Sequence, residues 1–439
     1  MKKIFLLILT ISFTANIFSQ DTLKTDDINK KTGFGFAGVP VISYNTDLGL
    51  KYGLILNLFH YGDGRNYPNP NHKLYLEWSR TTKGSGITQI LYESRTLFKG
   101  LRTTFEATWF KEQALQFFGF NGANSQYIPA YEDELSGMYK SRIYYRQDRQ
   151  LYKIRADVQG HLSNENFRWL AGLTYNKVDI GIVNTSKLNS SLSAYDELPD
   201  STLFADYLAW NVLRKDEING GYLNNLKIGL VYDTRDNDAN PMKGIWTEVM
   251  LVNFPEFFGN TYSFGKLVIT HRQYFTLIKK RLNFAYRLSF QPKVYGDMPF
   301  YALPFLYNTD IDRDGLGGSR TLRGVYRNRL AGEGYFFYNT EFRWKFLMFR
   351  WLKQDIYLAL VPFLDGGLVT QKYKNFNTDN VPADRLKEFD YAKETMHFSY
   401  GSGLAIVLNY NFIVNVTYGL SHSKNDGDKS LYINLNYLF

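Results

Sequence analysis

Residues 409–420 read NYNFIVNVTYGL. Tyr410, Phe412, Val414, Val416, Tyr418 and Leu420 fall on one parity, and Asn409, Asn411, Asn415 and Thr417 on the other. A period of two marks a β-strand, whose successive side chains point to opposite faces. Asparagine alternating with bulky apolar residues does not suit a soluble core strand. It suits a strand that meets lipid on one face and water on the other. The run at 431–439, LYINLNYLF, repeats the pattern. Leu431, Ile433, Leu435, Tyr437 and Phe439 share one face; Tyr432, Asn434, Asn436 and Leu438 share the other.

Working back from this end, the same alternation picks out 396–408, 355–370, 334–348, 281–292, 263–277, 244–253, 223–233, 167–178, 150–161, 101–114, 87–98, 72–82, 48–60 and 34–44. The count, about sixteen, is even, and connections alternate short and long, as such barrels require. Short turns fall at 278–280 and 349–351, and long outer loops at 115–149, 179–222, 293–333 and 371–395. The fold predicted is all-β, a transmembrane antiparallel β-barrel with both ends on the periplasmic side.

Composition agrees. Aromatics make up 17% of the chain, with 34 Tyr and 34 Phe, while mean hydropathy is −0.32. After residue 20 no apolar run approaches the ~20 residues a membrane-spanning helix needs. There is no Cys, which excludes disulfides and thiolate metal sites. Removing Lys2 and Lys3 from the 51 basic residues leaves 49 against 42 acidic ones, net +7. That charge is dispersed, and no nucleic-acid module accompanies it.

Lys2 and Lys3, then Ile4 to Phe13, then Ile17 to Gln20 read as a secretory signal with its cleavage site. The expected organisation is a signal peptide at 1–19, a short periplasmic lead at 20–32 and one barrel domain at 33–439.

Between two strand segments lies Gly317-Gly318-Ser319-Arg320-Thr321-Leu322-Arg323-Gly324-Val325-Tyr326. With it stand PVISYNTDLGLKYG at 40–53, Tyr232 to Asn237 followed by Asn240 to Gly244, Phe363-Leu364-Asp365-Gly366-Gly367, and the terminal Phe439. In this order and spacing the segments resemble the BamA/TamA superfamily of bacterial outer-membrane assembly proteins. The resemblance implies an inward-folded sixth outer loop carrying Gly317, Gly318, Leu322, Arg323, Gly324 and Tyr326. It implies that Arg323 enters the lumen and pairs with Asp365 of the motif Phe363, Asp365, Gly367. It also marks Tyr437 and Phe439 as the C-terminal signal that barrels present to their insertion machinery.

Alternation independently turns Asp365 inward, because a carboxylate facing lipid is costly. Asn339, Glu341, Arg343 and Lys345 share the lumen face of the neighbouring strand, where Glu341 is a second candidate acceptor for Arg323. Tyr326 is expected to stack on the barrel wall. At the other edge, Gly33, Gly35, Gly38 and Pro40 leave two readings open. Either the first strand pairs poorly with the last, or 33–39 is a lead-in and the strand starts near Pro40.

The function implied is insertion or translocation of proteins or lipids at the outer membrane. Members that assemble or secrete proteins usually carry periplasmic POTRA domains before the barrel. Here the expectation is a barrel-only branch, served by a periplasmic or membrane partner or by a second copy, with an unfolded protein or a lipid as client. The rival classes are a passive or plugged channel and a barrel hydrolase. Neither G-x-S-x-G nor H-E-x-x-H occurs. His397 and Ser399 share a strand face and read as lumen or girdle residues. No enzyme activity, cofactor or metal is expected, Asp233 to Asp238 being read as a turn.

Overall fold

Alternation becomes strand almost everywhere in the computed structural model, which describes residues 30–45, 49–120, 122–190, 192–193, 196–309, 314–352, 354–389, 394–410 and 412–439. The signal segment at 1–19 lies outside them. The strands are β1 (Phe34–Asn45), β2 (Gly49–His60), β3 (His72–Thr81), β4 (Gly86–Phe98), β5 (Leu101–Gln116), β6 (Arg146–His161), β7 (Phe167–Gly181), β8 (Gly220–Tyr222) and β9 (Asn225–Asp233). There follow β10 (Gly244–Phe254), β11 (Phe264–Ile278), β12 (Leu282–Gln291), β13 (Lys293–Gly296), β14 (Gly334–Trp351), β15 (Gln354–Gln371), β16 (His397–Leu408), β17 (Phe412–Ser421) and β18 (Lys429–Leu435).

Apart from two interrupted strands, each strand pairs antiparallel with its neighbour in the chain. The short β8 and β9 both pair with β7, and β12 and β13 both pair with β11. Each such couple forms one stave, so eighteen segments make a sixteen-stave antiparallel sheet. Pro292, which has no N–H to give, stands where β12 breaks into β13.

The packing is that of a barrel with a polar inside. On β14, Phe342, Trp344 and Phe346 are exposed outward, while Asn339, Glu341, Arg343 and Lys345 are buried inward. Arg149, Arg155, Arg323, Arg329 and Arg343 are among the largest fully enclosed side chains. Their charges meet acids close by, and other inward-facing charges pair along the wall in the same way. Arg155 lies 2.9 Å from Glu106, and Lys227 lies 2.8 Å from Asp157.

β1 runs in register with β2 from Phe34↔His60 to Asn45↔Gly49. The strand therefore includes 34–39 and does not begin at Pro40. Pro40 is tolerated because β1 is an edge strand, where a missing donor costs no ladder bond. β18 pairs with β17, and among the described residues no ladder joins β1 to β18. Phe34, Phe36 and Ile433 are 86%, 83% and 70% exposed, against 46% for Phe342 in mid-sheet, because no neighbouring strand covers them.

The C-terminus departs from the alternation. β18 stops at Leu435, and Asn436 takes φ +71°. Tyr437 and Phe439 are then buried at 6% and 8% exposure, so they do not share the outward face of Leu431 and Ile433. β14 also runs through Trp351, so its turn lies beyond 349–351.

At the loop end, the connections 117–145, 182–219, 297–333 and 372–396 share one aromatic core. Phe117, Phe118, Phe204, Tyr207, Phe300 and Phe389 belong to it. The helix α1 (Leu203–Ala209) serves it directly. Thr202 caps the helix by accepting from Ala205 N–H at 3.1 Å. Leu203, Phe204 and Tyr207 then face the aromatic core.

Candidate functional site: the clamped loop

The glycines of the 317–326 stretch allow a backbone that other residues rarely adopt. Gly317, Gly318 and Gly324 have φ of +112°, +87° and +106°. Thr321 Oγ accepts from Gly317 N–H at 2.8 Å, and Gly318 N–H donates to Val325 O at 3.0 Å. Leu322 and Val325 are buried with Leu306, Leu316, Leu330, Tyr335, Phe337 and Val369. The loop thus has a small apolar core of its own, and that core turns Arg323 toward the wall.

Arg323 is 1% exposed and fully engaged. Its Nε and Nη2 donate to the two oxygens of Asp365 at 2.9 and 2.8 Å. Its main-chain N–H donates to Asp365 Oδ2 at 3.1 Å. Nη1 donates to Glu341 Oε1 at 2.6 Å. The ring of Phe363 lies 3.6 Å from the guanidinium. Planar delocalised charge, forked donors and a stacking face are properties of Arg that Lys does not share. Burial disfavours the charge on Arg323, but Asp365 and Glu341 outweigh that and hold its pKa above the ordinary value.

The next residue fixes the depth of the loop. Gly324 N–H donates to Tyr432 Oη of β18 at 3.1 Å. A Cβ on Gly324 would meet the main chain of Leu420 at 2.6 Å. A Cβ on Gly419 would meet the main chain of Arg323 at 2.6 Å. Tyr326 N–H donates to Asp426 O at 2.7 Å. The loop therefore touches β14, β15, β17 and β18 together. Gly367 lies on the same wall, where its Cβ position would meet Leu316 at 2.9 Å.

Several partners were not legible beforehand. Glu341 is shared: its second oxygen accepts from Arg343 Nε at 2.9 Å. Arg343 in turn donates to Phe439 O at 2.8 Å and lies 4.2 Å from the Tyr437 ring. The loop clamp and the C-terminal residues thus meet on one carboxylate–guanidinium pair. Arg287 and Asn339 hold the loop main chain at Arg320 and Thr321. Tyr326 does not stack on the wall. It lies 5.6 Å from the ring of Phe118 and 5.0 Å from that of Tyr127, both in the 117–145 loop.

His397 Nδ1 lies 2.7 Å from Asp426 and Nε2 lies 3.4 Å from Glu394. Among the described residues no hydrogen bond joins its ring to Ser399. In the 234–243 turn, Asp233 is bound by Arg168 and Arg235, and Asp238 by Arg95, Arg102 and Arg235. Arginines therefore occupy both carboxylates.

The Omp85 superfamily domain matches residues 66–437 of this chain. Among solved structures, CdiB from Escherichia coli is similar at 12% identity with a TM-score of 0.55, over 92% of this chain and 62% of that one. The chain thus spans less than two thirds of that structure's length. BamA from Haemophilus ducreyi lacking POTRA domains 1-3 is similar at 14% identity with a TM-score of 0.48, over 92% of this chain and 69% of that one. No curated protein sequence matches this chain.

Proposed function

The chain belongs to the Omp85 superfamily of outer-membrane β-barrels, and on that premise we propose that it assists insertion or translocation of proteins or lipids at the outer membrane. The observation that carries this reading is the loop clamp. Arg323 and Gly324 brace β14, β15, β17 and β18 as one wall, and that wall ends at β18, whose far edge pairs with no strand among the described residues. An unpaired edge normally invites another strand. Braced from inside, it is a shaped opening toward the bilayer through which a strand or an acyl chain can pass. The inward placement of the sixth loop is part of this reading. So is a periplasmic or membrane partner, or a second copy, that delivers the client. The family's barrels are generally transporters or insertases and not enzymes, and this reading follows them.

Depletion in the native host followed by outer-membrane and surface proteomics tests the proposal. Loss of a defined set of envelope proteins supports protein assembly and names the clients. An unchanged protein profile with altered surface lipid supports lipid transport. No change in either overturns the proposal.

A further inference from the structure

Arg272 of β11 stands directly opposite Arg287 of β12. Both point into the lumen and are buried, at 9% and 7% exposure. Like charges directly opposite on neighbouring strands repel. Arg287 is satisfied by neutral acceptors. Its Nε and Nη2 donate to Asn339 Oδ1 at 2.9 and 2.6 Å, and Nη2 also donates to Arg320 O at 2.9 Å. Arg272 has no carboxylate partner among the described residues, and its enclosed Nε makes no hydrogen bond. A buried cation left in that state is costly.

Arg272 lines a cavity of about 180 Å³ at the turn end of the barrel. The volume is roughly that of six liquid-water molecules, enough for a tetrahedral oxyanion and part of its substituent. Lys73, Arg95, Arg102 and Arg235 share the wall with Glu93 and Asp238. Glu93 is taken by Lys73 at 3.1 Å. Asp238 is taken by Arg95, by Arg102 at 3.0 Å and by Arg235 at 3.4 Å. Among the described side chains of the lining, five cations face two acids, and Arg272 is the cation that neither of those acids reaches; Phe439, which also lines the cavity, accepts from Arg343. Gln159 and Thr309 add neutral polar groups.

We propose that this cavity is a binding site for a phosphate-class anion, with the Arg272 guanidinium as its principal ligand. A forked guanidinium matches two oxygens of a phosphate as it matches a carboxylate. The anion can be free phosphate or the headgroup of an anionic lipid. The inference stands independently of the proposed function.

Calorimetric titration of the folded barrel, in neutral detergent and phosphate-free buffer, provides the test. Inorganic phosphate is one probe and dihexanoyl phosphatidic acid the other. Saturable binding of both at similar affinity assigns a free-anion site. Binding of the phosphatidic acid at least tenfold tighter assigns a headgroup site. In either case Arg272→Gln, checked for folding by heat-modifiable migration, should weaken binding at least tenfold. A variant-free readout accompanies it: the tighter-binding of the two probes should protect Arg272 from phenylglyoxal, read by peptide mass spectrometry. The proposal is overturned if neither probe saturates, if Arg272→Gln binds as tightly as the parent, or if the tighter-binding probe leaves Arg272 modification unchanged.

Discussion

Arg323 and Asp365, 42 positions apart in the chain, share three hydrogen bonds, two from the guanidinium and one from the Arg323 main chain. The main-chain bond means that the carboxylate positions the loop backbone as well as the charge. An ion pair of this kind need not be worth much against an apolar plug, but leaving one member alone is expensive.

Removing either partner should therefore be strongly destabilising. Arg323→Gln or Asp365→Asn is expected to cost about 3–5 kcal/mol, read as a drop in the urea midpoint of the folded barrel in detergent. Arg323→Lys should fail to rescue, since Lys lacks the fork and the flat face that meets Phe363. The swap of Arg323→Asp with Asp365→Arg should recover part of the loss, because Glu341 remains to receive an Arg at 365. A double variant no better than the worse single one would refute the pairing as the anchor.

Gly324 and Gly419 make a sharper test, since they carry no charge. Each faces main chain across a gap that a Cβ would close to 2.6 Å. Gly324 also sits at φ +106°. Gly324→Ala and Gly419→Ala should each loosen the loop by about 1–3 kcal/mol and admit trypsin at Arg320 and Arg327. Gly100→Ala is the control. Its φ is +78°, but its Cβ would meet nothing within 4 Å, so trypsin should leave the loop intact.

Most of the sheet was legible because lipid and water impose opposite demands on alternate residues. The lumen faces of β14 and β15, with Glu341 and Asp365 on neighbouring strands, followed from that alone. Where two environments accept the same residue, parity loses its power. Tyr437 and Phe439 fit a lipid face, but they fit the cationic face of Arg343 equally well, and the turn at Asn436 delivers them there. The partner of Tyr326 was hidden for another reason. Phe118 and Tyr127 lie about two hundred positions away in another loop, and no local pattern names such a contact. Arg272 could be placed in the lumen by parity, but that no acid among the described residues pairs with it is a property of its surroundings.

Glu341 accepts from Arg323 and Arg343 at once, so the two arginines should act as a coupled unit. Arg323→Met and Arg343→Met are expected to be non-additive by about 0.5–3 kcal/mol in a double-mutant cycle. Arg343→Met alone should also free the C-terminal residues, so that a spin label at Leu438 gains mobility. Strict additivity, with the label unmoved, would show that the loop clamp and the C-terminus are independent.

The 234–243 turn should respond to acid in a defined direction. Burial alone would raise the Asp238 pKa, but Arg102, Arg95 and Arg235 hold it well below the usual carboxylate range. A carboxyl whose folded pKa lies below its unfolded value adds stability above the unfolded pKa. That stability is lost as pH falls through the folded one. The stability difference between the parent and Asp238→Asn should thus stay constant from pH 7 to about 5. It should shrink only below about pH 4, where an unfolded Asp protonates. A difference that already shrinks between pH 7 and 5 would contradict the pairing.

The aromatic dome makes a final prediction about conduction. A sixteen-stave barrel is wide enough to hold a water-filled channel. Here the loops share one buried cluster with inward-facing strand residues such as Met250 and Phe264, and Arg323 of the 297–333 loop is held by Asp365 and Glu341. Planar-bilayer recordings of the parent should give small, flickering currents. Replacing residues 297–333 with a short Gly-Ser turn removes both the clamp and Phe300, Tyr301 and Phe305 of the dome, and should give larger, steadier conductance. Arg323→Gln should fall between them, because it frees the loop without removing its aromatic residues. Large steady currents from the parent would mean that the dome does not seal, and would favour a plain channel over an assembly barrel.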